Sequence, residues 1–174
     1  MRSSFNPIGT KKTKCNYLLA CSQLLTQKQL TIAFVESATA GRIAAEFSML
    51  PDAGKFLKGG IVCYNSDLKS SLLGVSKKLI TVNTPESEIV TYSITLGLQK
   101  LIPANLYIGC TGLTSPGGSE TPDKPVGTIF LCGIQGQKII FIEKLNFQGS
   151  PEIIVLQTVN QVAKRVYDYL QTLE

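Results

Sequence analysis

Apolar runs of strand length alternate with helical periodicity along most of this chain, and that order limits the folds open to it. "LTIAFVES" (30–37) reads as a buried strand and is followed at once by "TAGRIAAEFSML" (39–50), a helix whose start Ser37 or Thr39 would cap. Residues 14–28 place Leu18, Leu19, Cys21, Leu24 and Leu25 at helical spacing, and "GGIVCY" is a second strand. "SDLKSSLLG" reads as a short helix with Ser66 as cap and Gly74 at its end. "TPESEIVTYSITLGLQKLI" carries Thr84 as cap and Pro85 at the first helical position, with Ile89, Val90, Ile94, Leu98 and Leu101 as its buried face.

The second half changes character. "ANLYIGCTG" is a third strand running into the polar loop "TGLTSPGGSETPDKPVG". "GTIFLCGI" and "KIIFIEKLNF" then form a hairpin across "QGQ", and the chain ends in an amphipathic helix capped by Ser150 with Pro151 at its first position. Strand–helix alternation followed by a hairpin predicts an α/β fold: a single-domain α/β/α sandwich with a mixed, largely parallel sheet. The domain is expected over residues 14–174, after a flexible basic tail at 1–13. No repeat or internal boundary interrupts it.

Composition narrows the chemistry. The 174 residues contain no histidine, which removes histidine-based triads and the usual zinc sets. Five cysteines, an odd number without a CxxC pair, suit reduced, buried thiols in a cytoplasmic protein and give no metal site. No apolar run reaches spanning length, and the N-terminal stretch does not read as a secretory signal. The net charge of +5 is concentrated partly in the N-terminal stretch and otherwise dispersed, so nucleic-acid binding is a weak inference.

Three polar loops, "ESATAG", "YNSDLK" and "TGLTSPGG", fall at successive strand ends. In an open α/β sheet such loops converge on one edge, and their polar groups can share a pocket. Each alone also serves ordinary caps and turns. Ser37 is either an N-cap or a nucleophile; as nucleophile it needs a base, and without histidine the available one is a lysine. Lys69, one helical turn after Asn65, is either that base or a solvated helix side chain. Tyr64 ends a strand, where it meets a substrate or simply packs. The glycines around Lys124 offer backbone N–H groups for a phosphate, although no GKS or GKT of a P-loop follows and no GxGxxG opens the first βα turn.

The ordered set "ESATAG", "LPDAGKFLKGGIVCYNSDLKSSLLGV" and "CTGLTSPGGSETPDKPVGT" resembles the C-terminal domain family of the competence/damage-inducible protein CinA, from about Leu30 onward. The resemblance implies an α/β sandwich, often a homodimer, that hydrolyses the carboxamide of nicotinamide mononucleotide to a carboxylate and releases ammonia without metal or organic cofactor. Ser37 matches the serine of the family's ESCTGG motif, Tyr64 and Lys69 the tyrosine and lysine of YSNEAK, and Thr111 the threonine of TGIAGP. Together these readings assign Ser37, Lys69 and Tyr64 to catalysis, and Thr39, Thr111, Gly112, Gly117, Gly118 and Lys124 to substrate binding.

The departures from the family pattern are specific. Ala38 and Ala40 replace a cysteine and a glycine, and the methyl of Ala40 is expected to narrow backbone access to a ligand. Ala53 and Gly54 stand where paired serines are expected, and Thr114 and Ser115 where alanine and glycine are. Pro151 takes the place of an arginine that meets the substrate's anionic part, with Lys55 or Lys58 as possible substitutes. Two readings follow: a serine–lysine amidohydrolase of the nicotinamide-nucleotide type, or an impaired relative that binds a nucleotide or a protein partner.

Overall fold

Residues 16–173 are described by the computed structural model. The expected tail at 1–13 lies outside the described residues, as does Cys15. Five strands form one sheet in the order β2-β1-β3-β4-β5: β1 (Ile32–Glu36), β2 (Leu57–Val62), β3 (Leu106–Gly112), β4 (Thr128–Gln135) and β5 (Lys138–Asn146). The pairings of β1 with β2 and β3 are parallel, and those of β4 with β3 and β5 antiparallel. Only β4 therefore runs against the rest, and the sheet is mixed.

Helices cover both faces. α1 (Tyr17–Gln27), α2 (Arg42–Ser48), α3 (Ala53–Phe56) and α7 (Pro151–Gln171) pack on one side around Phe34, Phe47, Ile108, Leu131 and Val162. On the other side α4 (Ser66–Ser71), α5 (Lys77–Asn83) and α6 (Glu88–Gln99) close over Val35, Leu73, Val90, Ile94 and Leu98. Strands β1 and β3 are central and almost wholly buried, which is why their sequences read as continuous rather than alternating apolar runs. Gly109 in β3 lets α6 approach closely, since a Cβ there would collide with Thr95 Oγ1.

Connectivity places the site. The chain leaves β1 toward β2 and leaves β3 in the opposite direction, toward β4. That divergence opens a crevice beyond the carboxyl ends of two adjacent parallel strands, where ligands of open α/β sheets bind. The Ser37 N–H donates to the Cys110 carbonyl at 2.9 Å, and the Cys63 N–H to the Glu36 carbonyl at 2.8 Å. The three strand ends are thus stitched together at this edge.

Several local readings are corrected. Neither Ser37 nor Thr39 caps α2: Gly41 holds the cap position with φ of 95°, and the first N–H groups go to the Glu36 carboxylate instead. Asn65 rather than Ser66 caps α4, its side-chain oxygen accepting from Asp67 N. Helix α6 begins at Glu88, not Pro85, because Lys124 holds the Thr84 hydroxyl and the Glu86 carbonyl outside any helix. The sequence reading also missed α5, and Ile89 and Leu101, taken as buried, are exposed. The Ser150 cap and Pro151 at the start of α7 are as expected.

Candidate active site

Lys69 is the anomaly from which the site can be built. Its side chain is among the largest fully buried ones, with 1% exposure, on a six-residue helix that is otherwise largely exposed. A buried amine requires acceptors, and among the described residues it has two: the Ser37 hydroxyl at 3.1 Å and the Cys63 carbonyl at 3.3 Å. Ser37 is itself 5% exposed and sits immediately after β1. The asparagine cap fixes where α4 starts, and position 69, four residues on, turns inward over the sheet edge.

Glu36 is the buried counterpart, and the sequence reading gave it no role. One oxygen accepts from Thr39 Oγ1 at 2.7 Å and from the N–H groups of Gly41 and Ile43 at 3.0 Å; the other accepts from Ala44 N at 2.8 Å. A carboxylate so fully bonded serves as the cap of α2 and holds the 37–41 turn rigid. The turn leaves Ala38 and Thr39 buried with backbone N–H groups that have no acceptor among the described residues. Both donors directly follow Ser37 in the chain.

Nearby thiols are not competing nucleophiles. Burial pushes the Cys63 and Cys110 thiols up; at Cys63 the Lys69 charge offsets part of this, and Glu36 adds to the rise at both. Burial likewise holds Cys132 up to about 11. All three stay protonated at neutral pH and are poor nucleophiles.

Above Ser37 lies a cleft of about 250 Å³ lined by Ser37, Ala38, Tyr64, Glu86, Gly112 and the loop at 113–118. Tyr64 stands at its rim with 67% exposure. Gly112, Gly117 and Gly118 line the cleft as expected, but Thr39 and Thr111 do not. The Thr39 hydroxyl is consumed by Glu36, and the fully buried Thr111 pairs with Thr91 Oγ1 at 2.7 Å, joining β3 to α6. Lys124 is likewise spent: its ammonium reaches Thr84 Oγ1 at 2.6 Å, Ser119 Oγ at 2.7 Å and the Glu86 carbonyl at 3.1 Å. Three donors meet three acceptors, so Lys124 clips the loop to the segment before α6 rather than facing a ligand.

Glu86, the residue after Pro85 and one the sequence analysis gave no role, is a lining residue, in a segment that Lys124 clips to the loop. Ala40 is exposed and outside the lining, so its methyl does not narrow the cleft; its φ of 48° makes the cost conformational instead. Lys55 and Lys58 flank the start of β2, at the sheet edge opposite the strand ends, and Lys55 pairs with Asp52 at 3.0 Å. They cannot stand in for a cation at the cleft. Among the described residues no helix is long and apolar enough to cross a membrane.

A family model, the CinA C-terminal domain, matches residues 16–170. A CinA-like protein of Thermotoga maritima is 31% identical over 149 residues, which is 86% of this chain and 36% of that protein. A CinA-like protein of Prochlorococcus marinus (strain NATL1A) is 35% identical over 126 residues, 72% of this chain and 29% of that protein. The chain spans about a third of the length of these curated relatives. In fold it is similar to the crystal structure of a CinA superfamily protein from Klebsiella pneumoniae, with a TM-score of 0.85 and 23% identity over 90% of this chain and 97% of that one. A CinA superfamily structure from Escherichia coli gives 0.83 at 25% identity, covering 97% of this chain and 96% of that one.

Proposed function

The chain belongs to the CinA C-terminal domain family, and we propose that it is a serine–lysine amidohydrolase acting on a carboxamide of the nicotinamide-nucleotide type. The observation that carries this reading is the buried contact of 3.1 Å between Lys69 Nζ and Ser37 Oγ, in a chain with no histidine.

Lys69 Nζ, as general base, accepts the hydroxyl proton as Ser37 Oγ attacks the carboxamide carbon. The carbonyl oxygen becomes an oxyanion, for which the unpaired N–H group of Ala38, a lining residue, is the donor at hand. The resulting ammonium returns its proton to the leaving nitrogen, ammonia departs, and an ester on Ser37 remains. Water, deprotonated by Lys69, then hydrolyses that ester to the carboxylate and restores the hydroxyl. Tyr64, at the rim, contacts the substrate's ring.

Ammonia release from nicotinamide mononucleotide by the purified chain tests the reading, with Ser37→Ala and Lys69→Met expected to abolish it. Unchanged release in both variants rejects the mechanism. A second reading, ligand binding without turnover, is favoured by one observation: among the described residues no lysine or arginine lines the cleft. Calorimetric binding with no ammonia release selects it. The buried thiols at 21, 63, 110 and 132 fit a reducing cytoplasm. A homodimer is consistent with exposed Met49, Val62, Leu68 and Leu72 around the β2 edge, and sedimentation equilibrium tests it.

A further inference from the structure

The glycine-rich loop over the cleft has the form of an anion-binding nest, but its donors already hold an anion. Gly117 has φ of 98°, a left-handed conformation that turns its N–H toward one point. At that point lies the chain's own Glu120: Oε1 accepts from Gly117 N at 2.6 Å. The N–H groups of Gly117, Glu120 and Gly118 hold the Glu120 carboxyl below the usual carboxylate range, so it is ionised at neutral pH.

The rest of the loop is closed on itself in the same way. Thr121 and Lys124 exchange backbone hydrogen bonds at 3.1 and 2.9 Å, and Lys144 Nζ donates to the Asp123 carbonyl at 2.8 Å. Ser119 Oγ donates to Glu86 Oε2 and accepts from Lys124. The cleft wall therefore presents one carboxylate, Glu86, with a second, Glu120, behind Gly117, and the nearest loop cation is fully occupied. A phosphate bound at Gly117 N would have to displace Glu120, and elsewhere in the cleft it would face Glu86 with no lysine or arginine among the described lining residues.

We infer that the cleft takes a carboxamide carrying no phosphate at this loop: a planar aromatic amide, neutral or cationic, such as a pyridinium nucleoside. A cationic ring gains from both features that repel phosphate, the Glu86 carboxylate and the exposed Tyr64 ring at the rim. The inference rests on the serine–lysine reading for its chemistry but not for its binding preference.

Nicotinamide riboside and nicotinamide mononucleotide share the amide and the pyridinium and differ by one phosphate, which makes them the probes. Calorimetric titration of the unmodified chain is expected to give at least about tenfold tighter binding of the riboside, roughly 1.4 kcal/mol. Glu120→Ala and Glu86→Gln are each expected to narrow that ratio by strengthening binding of the mononucleotide; Glu120 is exposed, and the glutamine keeps the shape of Glu86. Equal or tighter binding of the mononucleotide, binding of neither compound, or a ratio that neither variant moves overturns the inference. Ammonia release is read separately: riboside binding without release from either compound rejects the serine–lysine mechanism and leaves the preference standing.

Discussion

At the floor of the cleft, Ser37, Lys69 and Glu36 are buried, and each is bonded to a turn or strand end that belongs to the sheet. At the rim, residues 115–118 and Glu120 are exposed, and their bonds run largely within the loop and its neighbour before α6. The floor places its groups with the rigidity of a packed core, where leaving a donor or charge unpaired is costly. The rim keeps its shape by satisfying itself, at little cost to the fold when altered. The proposed function assigns chemistry to the floor and substrate choice to the rim.

That contrast can be broken most sharply at the floor. Ser37→Ala should lower ammonia release by about three orders of magnitude or more, roughly 4 kcal/mol of transition-state stabilisation, and should also lower the thermal midpoint, because the buried Lys69 then keeps only the Cys63 carbonyl. A fall of less than tenfold in steady-state assays would move the nucleophile elsewhere. Glu36→Ala should cost about 3 kcal/mol of stability in urea unfolding, since it strands the buried N–H groups that now cap α2. Glu120→Ala, at the rim, should leave the urea midpoint within error; equal losses from the two would erase the distinction.

The thiol at Cys132 tests the floor by pH. Its folded pKa lies above the ordinary thiol value, at about 11, because burial disfavours the thiolate. The protonated form is favoured by folding, so this stabilisation is complete below about pH 9 and is lost as pH rises toward 11. Up to about 2.7 kcal/mol is at stake, and Cys132→Val should flatten the decline in a pH series of unfolding curves. The smallest effect belongs to the turn after Ser37. Ala40 pays for a left-handed φ, so Ala40→Gly should raise stability by at most about 1 kcal/mol. A loss would mean that its methyl makes contacts that outweigh the strain.

Much of the fold was legible because burial leaves a one-dimensional trace. The apolar runs of β1 and β3, the hairpin of β4 and β5, and the Ser150–Pro151 start of α7 are each written in neighbouring residues. Of the candidate site residues, Ser37 directly follows β1, Tyr64 lies just after β2 and Lys69 lies on α4 beyond it, and the topology gathers them at one end of the sheet. Thr39, Thr111 and Lys124, expected as ligand contacts, have partners within the protein, and sequence cannot tell the two apart because hydroxyl and ammonium groups look alike whether they meet a substrate or a neighbour. Glu36 and Glu86 left signals too weak to use, an acid just before a turn and an acid near a helix start.

Local sequence, then, determined which segments pair and pack, since hydrophobic periodicity and caps act over a few residues. Tertiary structure decided which polar groups were already satisfied: the clip from Lys124 to Thr84 spans 40 residues and the contact from Lys69 to Ser37 spans 32. A hydrogen bond consumes a donor wherever its acceptor lies along the chain. Only the folded molecule therefore separates the groups left for chemistry from those spent on holding the site together.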